Sequence, residues 1–283
     1  MVKTEIDVNG TKKELYMDGG LHHQLTTKVV PSVQKKDFDW FMVVDGEEGA
    51  GKSVFGMQIA KTLDPNFNID QVAFTPAEFI SLVVNAKKHQ CIVFDEAFTG
   101  LSSRSALSEV NQLLVSLMME MRQKNLFIIL IMPTFFMLDK YCVLHRTKGL
   151  FHVYIKQGRR GYWNFYNRKR MKMLYLKGKK YYEYVHSKPI IFGRFLDQYT
   201  IDEDAYKEKK HNALRVKKRK TKAESYKIQR DLILYGIYDQ FLKRNVSALA
   251  RFSKKWDVGL ARRTLNDIVF QREKSLIKQV KEE

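Results

Sequence analysis

The chain has 283 residues, 45% of them hydrophobic, and carries 50 Lys+Arg against 31 Asp+Glu, a formal net charge of +19. That length buries one sizeable core and leaves room for a smaller second unit. No apolar window approaches eighteen residues, and two cysteines, Cys91 and Cys142, are too few for a disulfide framework or a zinc cluster.

Taken in chain order, the segment 4–16 (TEIDVNGTKKELY) sets Asn9-Gly10 between two alternating stretches, which predicts a β-hairpin. Residues 1–37 are therefore expected to be this hairpin and a lead-in. The apolar runs 40–44, 71–74, 91–94 and 126–132 alternate with helical patterns, which predicts an α/β, three-layer core over 38–200. Before the last of these runs, Leu107, Val110, Leu113, Leu114, Leu117, Met118 and Met121 follow helical spacing and form a core face. Beyond Gly149 the period changes to two. Runs 151–155 and 162–166 flank Gly158-Arg-Arg-Gly161, and runs 173–176 and 181–185 flank Gly178-Lys-Lys180, so two β-hairpins are expected within 151–186.

The hairpins interleave Arg159, Arg160, Arg168, Lys169, Arg170, Lys179 and Lys180 with Tyr162, Trp163, Phe165, Tyr166, Tyr181 and Tyr182. Such a surface suits a nucleic-acid backbone with occasional base stacking, and the aromatics equally suit the inner face of a small sheet. The polar segment 201–228 is expected to be a basic linker, with Lys217, Lys218, Arg219 and Lys220 in its densest run. Residues 229–283 are expected to be a helical domain in which 246–268 has a helix-turn-helix pattern. Leu249, Ala250 and Phe252 would pack inward, Val258 would mark the turn, and Ala261, Leu265 and Ile268 would hold the second helix. Arg262 and Arg263 would then face a DNA groove, although a helical bundle for protein contacts has the same pattern. Charge divides the chain: residues 1–150 hold 16 Lys+Arg against 17 Asp+Glu, and residues 151–283 hold 34 against 14. A near-neutral half joined to a strongly basic one points to a polyanionic partner.

The most specific motif is GEEGAGKS, residues 46–53, which fits the phosphate-binding pattern G-x-x-x-x-G-K-[ST] after an apolar strand and before the helical spacing of Phe55, Ile59 and Leu63. Glycines let the backbone curl so that its N–H groups face an anion at the N-terminus of the next helix. Gly46, Glu47, Glu48, Gly49, Ala50, Gly51, Lys52, Ser53 and Val54 are thus the expected nucleotide-binding residues. Lys52 would reach the β- and γ-phosphates of ATP, and the Ser53 hydroxyl would take one position on Mg²⁺. Residues 91–97, CIVFDEA, end an apolar strand in adjacent carboxylates. Asp95 would hold Mg²⁺ through water, and Glu96 would orient and deprotonate the attacking water. Phosphoryl transfer also needs a cation against transition-state charge, for which Arg104, Arg122 and Arg146 are candidates, and Thr134 stands where a polar side chain could sense the γ-phosphate.

The ordered set GEEGAGKS, CIVFDEA and MRQKNLFIILIMPTFFMLDKYCVLHR resembles the additional-strand P-loop ATPases. Within them it is most similar to the FtsK/HerA group and to phage assembly and DNA-packaging ATPases of the zonula occludens toxin type. The match covers residues 38–150, about 40% of the chain. Arg122, the run 126–132, Thr134 and Arg146 occupy the places of that group's third motif, with Met132-Pro133-Thr134 where the group carries Gln. The resemblance implies a RecA-like core and a homo-oligomeric ring, a hexamer, moving along duplex DNA. A DNA motor is the first expectation. An ATP-switched DNA-binding protein for replication initiation or transposition, and an assembly ATPase acting on protein, are the alternatives. MVKTEIDVNG lacks an apolar signal core, so a cytoplasmic protein without an integral membrane segment is expected, or one associated with a virus or phage in its host's cytoplasm.

Overall fold

The computed structural model describes residues 1–95, 104–218, 230–231, 233–235, 237–238, 245–255, 260 and 263–270, with the side chains at 104–110, 113, 118–119 and 214–218 left aside. The chain divides into two compact units, Met1–Ala213 and Leu214–Glu283.

In the first unit β1 (Val2–Val8) and β2 (Thr11–Met17) pair antiparallel from Val2↔Met17 to Val8↔Thr11. Asn9 and Gly10 take φ of 51° and 80°, the left-handed pair that a two-residue hairpin turn needs. Asp18 then caps α1 (Gly19–Gln24) by accepting from the Leu21 N–H at 3.0 Å. A π-helical turn, Leu25–Val29, leads into α2 (Val30–Lys35), where Pro31 cannot donate the bond that a regular helix would ask of it. Leu21, Leu25, Val29 and Val33 recur every four residues and are all buried, so this lead-in is a helix packed on the core.

Seven strands form the central sheet: β3 (Trp40–Gly46), β4 (Val72–Ala73), β5 (Cys91–Phe94), β6 (Phe127–Ile131), β7 (Thr147–Lys156), β8 (Arg159–Asn167) and β9 (Ile191–Arg194). Their order is β4-β5-β6-β3-β7-β8-β9, with β4 through β7 mutually parallel and β8 and β9 each antiparallel to its predecessor. β5 (CIVF), β6 (FIILI) and the first five residues of β3 (WFMVV) are continuous apolar runs, as strands covered on both faces must be. Met42, Val44, Val93 and Ile129 face one side with α3 (Lys52–Leu63), and Phe41, Val43, Ile92 and Ile128 face the other with α4 (Pro76–Asn85) and α5 (Arg104–Gln123). The result is an α/β fold with a mostly parallel central sheet flanked by helices, compatible with a RecA-like core.

Two expectations need correction, and one reading left open is decided. The segment 168–178 is a helix, α6 (Arg168–Gly178), not half of a second hairpin. Asn167 accepts from the Arg170 N–H at 3.1 Å, and Met171, Leu174, Tyr175 and Gly178 fall on one buried face, so cap and period both favour helix. The start of the supposed linker is also helical, as α7 (Glu203–Lys218). Asp202 accepts from the Ala205 N–H at 2.9 Å, acidic Glu203 and Asp204 suit the positive end of the helix, and Tyr206 and Ala213 bury one side. Finally, β7 and β8 do pair as a hairpin, but they extend the central sheet, so Trp163 and Tyr166 are core residues. The Trp163 ring stacks 5.8 Å from Phe55, which removes it from any exposed base-stacking surface.

In the second unit, α8 (Val246–Lys255) and helical residues 263–270 contribute Leu249, Leu265, Ile268 and Val269 to a small core with Leu234 and Tyr238. Val258 and Ala261 lie outside the described residues.

Candidate nucleotide site

Residues 46–51 link the end of β3 to the start of α3, where the sheet's C-terminal edge meets a helix N-terminus. Gly51 precedes the helix with φ 96° and ψ 20°, and no side chain caps the first turn, so its N–H groups face the loop. A Cβ on Gly51 would lie 3.0 Å from the Phe195 ring, and one on Gly46, whose φ is 137°, would lie 1.8 Å from the Val153 carbonyl oxygen. The loop therefore has its shape only with glycine at these positions. The Lys52 ammonium folds back over the loop and donates to the carbonyls of Gly46 at 2.8 Å and Glu47 at 2.7 Å. Burial lowers its pKa, and the charges of Asp45, Asp95 and Glu48 work against that shift. Glu47, Glu48 and Gly49 are exposed, whereas Ala50 and Val54 are buried beneath the loop.

Asp95 sits just beyond β5, buried, with its backbone N–H bonded to Ala73 O at 2.8 Å. β6 lies between β5 and β3, so Asp95 and the loop stand on the same edge, one strand apart. Tyr206 of α7 reaches between the two expected metal-binding residues. Its hydroxyl donates to Asp95 Oδ2, and the Ser53 side chain stands close enough to act on the same hydroxyl, opposing the upward shift of its pKa. Burial, with the Asp95 charge and hydrogen bond, pushes the Tyr206 pKa far up, so it remains a proton donor. α7 is brought here by the strap before it: Gln58 Nε2 donates to Leu196 O at 2.8 Å and Gln198 O at 2.9 Å, and Thr200 Oγ1 donates to Met57 O at 3.0 Å.

A second buried network lies behind the loop. Asp45, fully buried, accepts from the Phe135 N–H at 2.9 Å and from the Tyr184 hydroxyl, and its other oxygen meets His152 Nδ1 at 2.9 Å. Parallel register of β3 and β7 sets His152 beside Asp45. Tyr184 stacks on His152 with ring centroids 3.9 Å apart, and its hydroxyl lies 3.2 Å from Thr134 Oγ1. Thr134 is thus placed beside the root of the loop, tied to Asp45 through one tyrosine.

The other expected site residues are dispersed. Glu96 lies outside the described residues, as do Arg219, Lys220 and Arg262; for Arg104, Lys217 and Lys218 only the helical backbone is described. Arg122 is exposed at the end of α5 before β6. Arg146 pairs with Asp39 at 2.5 Å, just before β3. Both stand at the edge of the sheet opposite the loop, a strand length or roughly 20 Å away. Arg159 is exposed on β8, Arg263 is exposed in the second unit, and Arg160 approaches the loop itself.

The residues present fit a magnesium-bound triphosphate. The glycine loop and uncapped helix offer N–H donors and Lys52 a cation, while the Ser53 hydroxyl and Asp95 carboxylate are hard oxygen donors of the kind Mg²⁺ prefers. Among the described residues no group of three or more His, Cys, Asp or Glu could hold a metal by itself, and no helix is long and apolar enough to cross a membrane. Asp45, His152, Tyr184 and Tyr206 escaped the sequence reasoning. The available signals were Asp45 ending an apolar run and the seven-residue spacing of Tyr206 and Ala213 in an otherwise polar stretch. No protein-family model matches this chain, and no curated protein does.

Proposed function

We propose that the chain is a P-loop ATPase that drives movement of duplex DNA, working as a ring of like subunits. The observation that carries this reading is the conjunction at one sheet edge of the glycine loop, the uncapped N-terminus of α3, Lys52 on the loop carbonyls and buried Asp95 beside Ser53. A strand intervening between the loop strand and the Asp95 strand supports the additional-strand resemblance. Bound Mg²⁺ with ATP supplies the phosphoanhydride and a divalent charge beside it. Lys52 and the loop N–H groups hold the phosphates, Ser53 and Asp95 take the metal side, and Glu96, next in sequence to Asp95, accepts the proton of the attacking water. Arg122 and Arg146, at the far edge, can serve only the loop of a neighbouring subunit. This gives the ring a catalytic reason and requires Arg146 to leave Asp39.

The basic second half supports a DNA load. The nucleotide site is tested by binding and turnover: Lys52→Ala abolishes nucleotide binding, and Glu96→Gln retains binding while hydrolysis stops. Equal hydrolysis in wild type and Glu96→Gln removes that residue from catalysis. The motor is tested by electron microscopy with an ATP analogue and duplex DNA, where a ring on DNA is expected and a monomer or dimer refutes it.

One observation favours an ATP-switched DNA-binding protein instead. Tyr206, which closes Ser53 and Asp95, stands on the helix whose chain continues into the second unit. ATPase rates that grow with DNA length favour the motor, and an ATP-dependent footprint at one sequence favours the switch.

A further inference from the structure

The β7–β8 hairpin is held against the glycine loop along both of its strands. On β7, the Val153 carbonyl lies where a side chain on Gly46 would stand. On β8, Gly161 has φ 88° and no room for a Cβ, which would lie 2.5 Å from Phe195 O; its own carbonyl accepts from the Phe195 N–H at 2.8 Å. The Phe195 ring then spans to the loop, 3.0 Å from the Cβ position of Gly51 and with its centroid 4.7 Å from that of Phe55. Residue 160 therefore leaves a backbone whose distance from the loop is set on both sides. Its guanidinium Nη2 lies 3.7 Å from the Cβ position of Gly49, in the middle of the loop.

Arg160 is exposed, as are Glu47 and Glu48 of the loop, and among the described residues it forms no ion pair. Strand alternation turns Arg159 to the other face of β8, so the two adjacent arginines do not share a partner. A guanidinium beside the glycine loop, with no carboxylate paired to it among the described residues, suits the planar, two-pronged recognition of phosphate oxygens. We infer that Arg160 binds the polyphosphate of the nucleotide held by the same subunit's loop, and is not a DNA contact. This rests on the proposed nucleotide site, and it adds a cation in cis where Arg122 and Arg146 cannot reach.

The test measures affinity for a fluorescent, non-hydrolysable ATP analogue with Mg²⁺, and separately for duplex DNA, using the full chain. Arg160→Ala is expected to weaken nucleotide binding roughly 10-fold or more, the range for loss of a charge-assisted bond, with DNA affinity unchanged. Arg160→Lys retains the charge without the fork and is expected to fall between; it carries the test if Arg160→Ala fails to fold. Wild-type nucleotide affinity in Arg160→Ala overturns the inference, as does an equal loss in Arg159→Ala, which would reflect general charge alone. Lys52→Ala is run alongside: if it too binds nucleotide like wild type, the loop is not a nucleotide site and the proposed function falls with it. Loss in Lys52→Ala without loss in Arg160→Ala sinks only the role of Arg160.

Discussion

At Asp45 a carboxylate with no exposed surface collects a backbone N–H, a tyrosine hydroxyl and an imidazole nitrogen, and each of these partners belongs to a different stretch of chain. The hydrogen bonds join the strand before the loop, the turn after β6, the neighbouring strand β7 and the segment after α6. Burial, with the Asp45 charge next, pushes the Tyr184 pKa far up, so its hydroxyl stays a donor to the carboxylate. Truncating Asp45 leaves several buried donors without an acceptor, at about 1–3 kcal/mol each. Asp45→Ala is therefore expected to cost about 3–5 kcal/mol in urea unfolding, more than the usual effect of a single substitution. A loss below about 1 kcal/mol would mean that water replaces the carboxylate and that the network does not hold the loop.

Among the elements, α7 is the one that touches the proposed nucleotide site and then carries the chain onward towards its C-terminus. The strap before it is bonded to α3 through Gln58 and through Met57 O, and its Tyr206 hydroxyl lies on Asp95 and Ser53. In the proposed site, a metal held by Ser53 and, through water, by Asp95 would compete with that hydroxyl for the same oxygens. Tyr206→Phe removes the competitor and keeps the ring that packs 5.4 Å from Phe74. Mg²⁺-dependent affinity for an ATP analogue is expected to rise about 5-fold, the worth of roughly one hydrogen bond. Unchanged or weaker binding would show instead that the hydroxyl supports the loaded site. The lead-in helix and β7–β8 contribute differently, by packing: Leu25 and Val33 join Phe55, Phe151 and Trp163 in the core on the α3 side of the sheet.

For the whole molecule, basic charge does not coincide with the division into compact units. Residues 151–213, within the first unit, carry 15 Lys+Arg against 6 Asp+Glu, and residues 214–283 carry 19 against 8. Part of the first excess is used inside the fold: Arg168 donates to His145 O at 2.8 Å, Arg170 to Lys188 O at 2.8 Å and Lys209 to Val72 O at 2.7 Å. These cations satisfy backbone carbonyls within the fold, so the second unit is the better candidate for the proposed DNA contact. Leu249 is fully buried in its small core, and Leu249→Ala is expected to destabilise that unit by about 2–5 kcal/mol. On the proposed function, DNA affinity and its salt dependence should fall while nucleotide binding persists; equal loss of both, or of neither, would remove the second unit as the proposed DNA contact.

The sequence by itself determined the features whose cause is local. Asn9-Gly10 specified a hairpin, four apolar runs specified four of the five parallel strands, and the spacing of Gly46, Gly51, Lys52 and Ser53 specified a loop between strand and helix. Turn conformation and apolar periodicity act within a few residues, so a window of sequence contains them. Where two local signals competed, the window misled. Alternating aromatics suggested a second hairpin at 173–185, but the Asn167 cap and the face of Met171, Leu174 and Tyr175 make α6. Only the tertiary structure decided which distant side chains meet at the loop. Arg160 is more than a hundred residues from Gly49, and Tyr206 a similar distance from Asp95. Their meeting depends on strand order, on β7 aligning beside β3, and on Phe195 bridging Gly161 and Gly51, a sum of contacts that no stretch of the chain contains alone.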